Sequence, residues 1–173
     1  PSATTMLYSL LAPLAGLLFT FCFAPWPFGA AAVVPLAVLF ALWQHPARQK
    51  PLRDAWLFAL AHLGSGLYWV YISLYHFGGA PLPFAILANV LLILYLALYT
   101  VFAAWLMRRL SAPGSWRRTL LIPLLWTGGE LARAYLFTGF PWLAAGYSAL
   151  HTPLDGLAPL GGGFLMSFAL TLI

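Results

Sequence analysis

Charge is what this sequence has least of. Only 6% of its 173 residues are Asp, Glu, Lys or Arg, where an ordinary soluble domain has about 25%. A soluble fold of this length hides only about two-thirds of its surface. That is too little to conceal a chain that is 63% hydrophobic, with a mean hydropathy of +0.91. A water-soluble globular domain is therefore excluded. Cysteine is nearly absent too: the single Cys22 can close no intrachain disulfide. Without neighbouring histidines or acids it makes no metal site, so it reads as a small buried hydrophobe. No Gly-rich phosphate loop and no aromatic-basic groove is present, which excludes nucleic-acid binding. Internal repeats are missing as well, and this weighs against transporter folds built from repeated halves.

What is present is a series of apolar runs separated by short breaks. Spans are expected over residues 7–23, 30–43, 55–75, 84–107 and 119–137, against the roughly 20 residues that a crossing helix needs. Residues 143–159 are mixed and are expected to lie along the interface or to dip in and return. Residues 160–173 begin a sixth run that stops short. The first run has neither the basic start nor the cleavage site of a signal peptide. Pro35 is expected to kink or tilt the second run. The reading is an all-α integral membrane protein: a polytopic helical bundle of five full spans plus the start of a sixth, forming one transmembrane domain over residues 1–173.

The basic residues fall in two connections. Arg48, Lys50 and Arg53 lie in the first, and Arg108 and Arg109 through Arg117 and Arg118 in the second. Positive-inside bias places both, with the N-terminus, in the cytoplasm. The breaks at 24–29, 76–83 and 138–148, rich in proline, glycine and aromatics, then share the opposite side.

Against this apolar background Glu130 and Arg133 stand out. Their spacing of three puts them on one helical face, close enough to pair; Trp126 and Phe137 extend the same stripe. Two readings follow: a structural ion pair that pins the helix, or an arginine that faces a lipid phosphate and is oriented by the glutamate. His62, Ser65, Gly66, Trp69 and Ser73 make a small, polar stripe in the third run, read as helix packing with His62 structural. Phe140-Pro141-Trp142 and Tyr147 are aromatic-belt residues made unusual by the proline, by Gly139 and Gly146, and by Glu130 and Arg133 nearby. Irregular backbone at membrane depth must be covered, so a lipid cavity or another domain is expected there. Asp155 reads as a turn acid. No nucleophile–base set and no carboxylate pair can be assembled.

The segments GSGLYWVYISLYHFGGAPLP (Gly64–Pro83), LLWTGGELARAYLFTGFPWLAAGYS and PLDGLAPLGG, with FAPWP near the start, occur in the order and spacing seen in bacterial apolipoprotein N-acyltransferases. The sequence resembles the membrane part of that family over nearly its whole length. The resemblance implies a multi-pass protein of the bacterial inner membrane. It also implies acyl transfer from a phospholipid donor to the N-terminal diacylglyceryl-cysteine of a lipoprotein acceptor, without cofactor, through a thioester on the family's own cysteine. That cysteine, with a glutamate and a lysine, belongs to a periplasmic nitrilase-like domain of the same polypeptide. Cys22 and Glu130 do not correspond to the catalytic cysteine and glutamate, so this chain alone is expected to be inactive. A start at Pro1 and a stop within an apolar run lead to the expectation of a fragment truncated before that domain. The resemblance makes Trp69, Tyr75, Glu130, Arg133, Phe140, Trp142 and Tyr147 candidates for lining a lipid-substrate floor beneath the active site. The competing readings are a non-enzymatic membrane anchor or assembly subunit and a small transporter.

Overall fold

The computed structural model describes the backbone of residues 3–47 and 50–173 and side chains from Leu10 onward. Arg48 of the first basic connection, and the side chains of residues 7–9, lie outside the described residues. The fold is all-helical: α1 (Ala3–Thr20), α2 (Val33–Gln44), α3 (Pro51–Gly66), α4 (Trp69–His76), α5 (Leu82–Leu110), α6 (Trp116–Tyr135) and α7 (Ala158–Leu172).

The local chemistry sets these boundaries. Pro51 occupies the first turn of α3, and Leu82-Pro83 that of α5, positions where a missing N–H costs nothing. Ser115 caps α6 by accepting a hydrogen bond from the Arg118 amide (3.3 Å). Pro35, expected to kink or tilt the second run, lies in the first turn of α2, where proline is tolerated. The helix of the first run stops at Thr20, before its expected end at residue 23.

The outside of the bundle is greasy: Leu14, Leu18, Leu87, Leu91, Leu124 and Leu131 are all exposed, as in a protein solvated by lipid. Among the described residues, two segments are long and apolar enough to cross, Leu82–Leu110 and Pro153–Leu172, and a third counts if α3 and α4 are taken together across their 43° bend; the five full spans expected are not confirmed by helix length and composition. α6 has 20 residues but spends several on Arg117, Arg118, Glu130 and Arg133, and α2 has only 12. The last run, expected to stop short, draws its length from upstream. Thr152 accepts from the Leu154 amide (3.3 Å), which starts a 3₁₀ turn at Pro153 that leads into α7, whose backbone is kinked at Gly161 (φ −154°, ψ 18°) and Gly162 (φ 62°, ψ −161°).

The third run also differs from expectation. It breaks at Leu67 (φ −113°, ψ 11°), so Trp69 and Ser73 sit on α4, apart from the face that carries His62 and Ser65. That face packs on α1: the Thr20 hydroxyl meets His62 Nδ1 (3.0 Å) and Ser65 Oγ (2.8 Å) and donates to the His62 carbonyl (3.1 Å). Beneath, Phe19, Phe58, Phe40 and Trp126 form an edge-to-face cluster with centroids 5.6–6.5 Å apart around the Trp126 ring.

The two ends of the bundle differ. At one, Arg118 is buried and donates to the carbonyls of Trp43 and Ser111 and to Ser111 Oγ. Gln44 donates to Thr119 Oγ1 (2.8 Å) and accepts from the Gly114 amide (3.2 Å). The two basic connections are thereby tied together. At the other end, the break at 24–29 packs on residues 147–152, with Gly29 against the Ser148 carbonyl.

Candidate functional site

The aromatic end is built on the C-terminus of α6. Tyr135 closes the helix; Phe137 (φ 51°) and Thr138 (φ 73°) then adopt left-handed backbone, which is uncommon for side chains bearing a Cβ. Phe137 is consequently 83% exposed and leaves the Trp126–Arg133 stripe it was expected to extend. Leu143 (φ 59°) and His151 (φ 63°) share this conformation. Among the described residues, all four non-glycine residues with positive φ lie between 137 and 151. Such strain persists only where surrounding contacts over-determine it, and it is concentrated at functional sites.

Those contacts come from α6 and α7. Glu130 Oε1 accepts from Trp126 Nε1 (2.9 Å) and from the Ala145 amide (2.7 Å). Gly146 donates its amide to Ser167 Oγ (2.7 Å), and the Phe140 amide donates to the Arg133 carbonyl (2.8 Å). The glutamate is therefore a clamp on the loop. The direct Glu130–Arg133 ion pair suggested by their spacing is not formed: Glu130 Oε2 and Arg133 Nε are buried without hydrogen-bond partners, as is His62 Nε2. Both residues, with His62, Tyr99, Trp126 and Leu143, line a cavity of about 30 Å³, room for one or two waters. A phosphate reaching Arg133 requires the loop above it to move.

The seven candidate residues divide into groups. The Trp142 ring meets those of Trp69 (centroids 5.7 Å apart) and Phe140 (6.1 Å) at tilted angles. Trp142 and Tyr147 face one groove of about 370 Å³, walled also by Phe23, Pro141, Leu143 and Leu150. Glu130 and Arg133 lie beneath the loop. Tyr75 is half-exposed on α4, with its ring against His76 (4.8 Å), and meets none of the others. Sequence reading missed Ser167, Leu143 and Thr20. A lone hydroxyl in an apolar helix was the available signal for Ser167 and Thr20; nothing marked Leu143.

A strained aromatic loop clamped onto a bundle with an apolar exterior defines a helical domain of membrane-protein character with an apolar groove at one end. Residues 15–173 match the family model described as the apolipoprotein N-acyltransferase N-terminal domain, and the chain belongs to that family. It is 37% identical over 165 residues to the apolipoprotein N-acyltransferase of Methylococcus capsulatus and 38% over 170 residues to that of Coxiella burnetii. Identity to the Azotobacter vinelandii enzyme is 40% over 168 residues. In each case 95% of this chain is covered but only 32–34% of the relative, so the chain spans about a third of the length of the curated relatives it matches.

Proposed function

We propose that this chain is the membrane part of an enzyme that moves an acyl chain from a phospholipid to the N-terminal diacylglyceryl-cysteine of a lipoprotein. In this reading the bundle lies in the bacterial inner membrane, with its basic end in the cytosol. The aromatic end faces the periplasm and forms the floor beneath a nitrilase-like catalytic domain of the same polypeptide. The observation that carries the reading is the apolar groove at the strained loop. Trp142 and Tyr147 touch the acyl chain; Phe140 and Trp69 brace Trp142; Tyr75 sits on the rim; Glu130 and Arg133 hold the loop from below. The bond-making groups belong to the catalytic domain, so this segment selects and positions.

The test is Trp142→Ala in the full-length polypeptide. Trp142 is half-exposed, so its removal should cost little stability. Loss of its contact with lipid, about 1.5–3 kcal/mol for a large side chain, should slow acyl transfer by roughly 10–100-fold. Unchanged turnover removes it from the site. Arg133→Lys separates two roles for the guanidinium. If Arg133 engages a lipid phosphate through its planar fork, the variant should raise the KM for phospholipid severalfold. An unaltered KM leaves Arg133 with the loop alone.

A further inference from the structure

The opposite end of the bundle carries a feature that the acyl-transfer reading does not use. Seven of the eight Lys and Arg lie in the two connections there or beside them, and Asp54 is the one acid of three in that region. Asp54 is completely buried on α3, while Arg108, Arg109 and Arg117 are exposed. Between the end of α2, the start of α3 and the α5–α6 turn lies a groove of about 450 Å³, within the size range of small-ligand sites. Arg108 and Arg109 form its wall and the Arg118 hub its floor.

One wall continues into a lipid-facing track. Leu98, Phe102 and Trp105 are exposed on α5 at spacings of four and three, which place them on one face. Phe102 and Trp105 are stacked at 5.5 Å, and the next residue on that face, Arg109, has its guanidinium 5.5 Å from the Trp105 ring centre. An aliphatic chain lying on Leu98, Phe102 and Trp105 brings the group at its head to Arg109 and the groove. Guanidinium groups recognise phosphodiester oxygens through paired N–H donors, and basic pockets between membrane helices are suited to anionic headgroups.

We propose that this groove binds the headgroup of an anionic phospholipid, with an acyl chain running down α5. The site is separate from the aromatic groove and does not depend on what happens there.

Full-length polypeptide in nanodiscs containing phosphatidylglycerol or only phosphatidylcholine, followed by native mass spectrometry of retained lipid, tests the assignment. Each surface cation contributes about fivefold to anionic-lipid affinity, so Arg108→Gln/Arg109→Gln should weaken phosphatidylglycerol retention roughly 25-fold. Arg108→Lys/Arg109→Lys preserves charge and insertion orientation and should stay within about fivefold of the parent. Arg117→Gln removes a cation from the same end but outside the groove and should change retention by about twofold or less. Phosphatidylcholine should not be retained, and inorganic phosphate should not displace phosphatidylglycerol. Three results overturn the proposal. They are retention of lipid by the Gln pair equal to the parent, failure of the Lys pair as severe as that of the Gln pair, and a loss from Arg117→Gln as large as that of the groove variants. Displacement by inorganic phosphate identifies a free-anion site in place of a lipid site.

Discussion

Glu130→Ala is expected to lower the unfolding free energy of the full-length polypeptide by about 3–5 kcal/mol. Two buried donors, Trp126 Nε1 and the Ala145 amide, lose their acceptor at about 1–3 kcal/mol each. Arg133, buried on the next turn, loses the carboxylate nearest to it in the chain. Glu130→Gln keeps an oxygen at the accepting position and should cost only about 1–2 kcal/mol. Thermal unfolding in mild detergent separates the two. Equal losses mean that negative charge matters more than the clamp; no loss from Glu130→Ala means that the loop is held by something else. Acyl transfer should fall further than stability alone requires, because the Ala145 amide fixes the segment that carries Leu143 and Tyr147.

The second large effect is expected at the glycines of the same loop. A Cβ on Gly146 would run into the carbonyl oxygen of Gly163 in α7, and one on Gly139 into that of Ala134. Both obstacles are backbone. Gly139 adds a φ of 78° with ψ of 148°, a region that costs residues other than glycine about 1–3 kcal/mol before any clash. Gly139→Ala and Gly146→Ala are each expected to cost about 3 kcal/mol or more. Gly156→Ala, whose new methyl meets open space, should change stability by about 0.5 kcal/mol or less. If all three variants unfold alike, the loop does not pack on α7 as described.

Much of the bundle was readable because hydrophobicity and punctuation are local properties. Pro51, Ser115 and the Leu82-Pro83 pair stand at helix starts through local backbone chemistry, and the long uninterrupted α5 announces itself. The bend after Gly66 was hidden: Leu67-Tyr68-Trp69-Val70 continues the apolar run without a proline, and the contact that Gly66 makes there, with Leu143, comes from a distant part of the chain. The left-handed backbone of Phe137 was hidden as well: it sits inside the local closure in which the Gly139 amide donates to the Leu136 carbonyl and the Phe140 amide to that of Arg133, with no proline or glycine at 137 to announce it. At the site, Glu130 and Arg133 were conspicuous because charge is scarce here. Their spacing invited an ion pair, yet the glutamate turns instead to Trp126 and Ala145, a partner 15 residues on that no helical period reveals. Trp142 with Phe140 and Tyr147 could be picked out from the proline and glycines around them. Their grouping with Trp69 required the fold.

Arg118 has a chronology. In the orientation proposed above, its guanidinium is one more cation resisting translocation of the α5–α6 connection. When that connection then folds onto the end of α2, already made, and meets the Trp43 carbonyl, the same group is buried and becomes a rivet between the two connections. A single side chain would thus help to choose the orientation first and then make that choice hard to reverse.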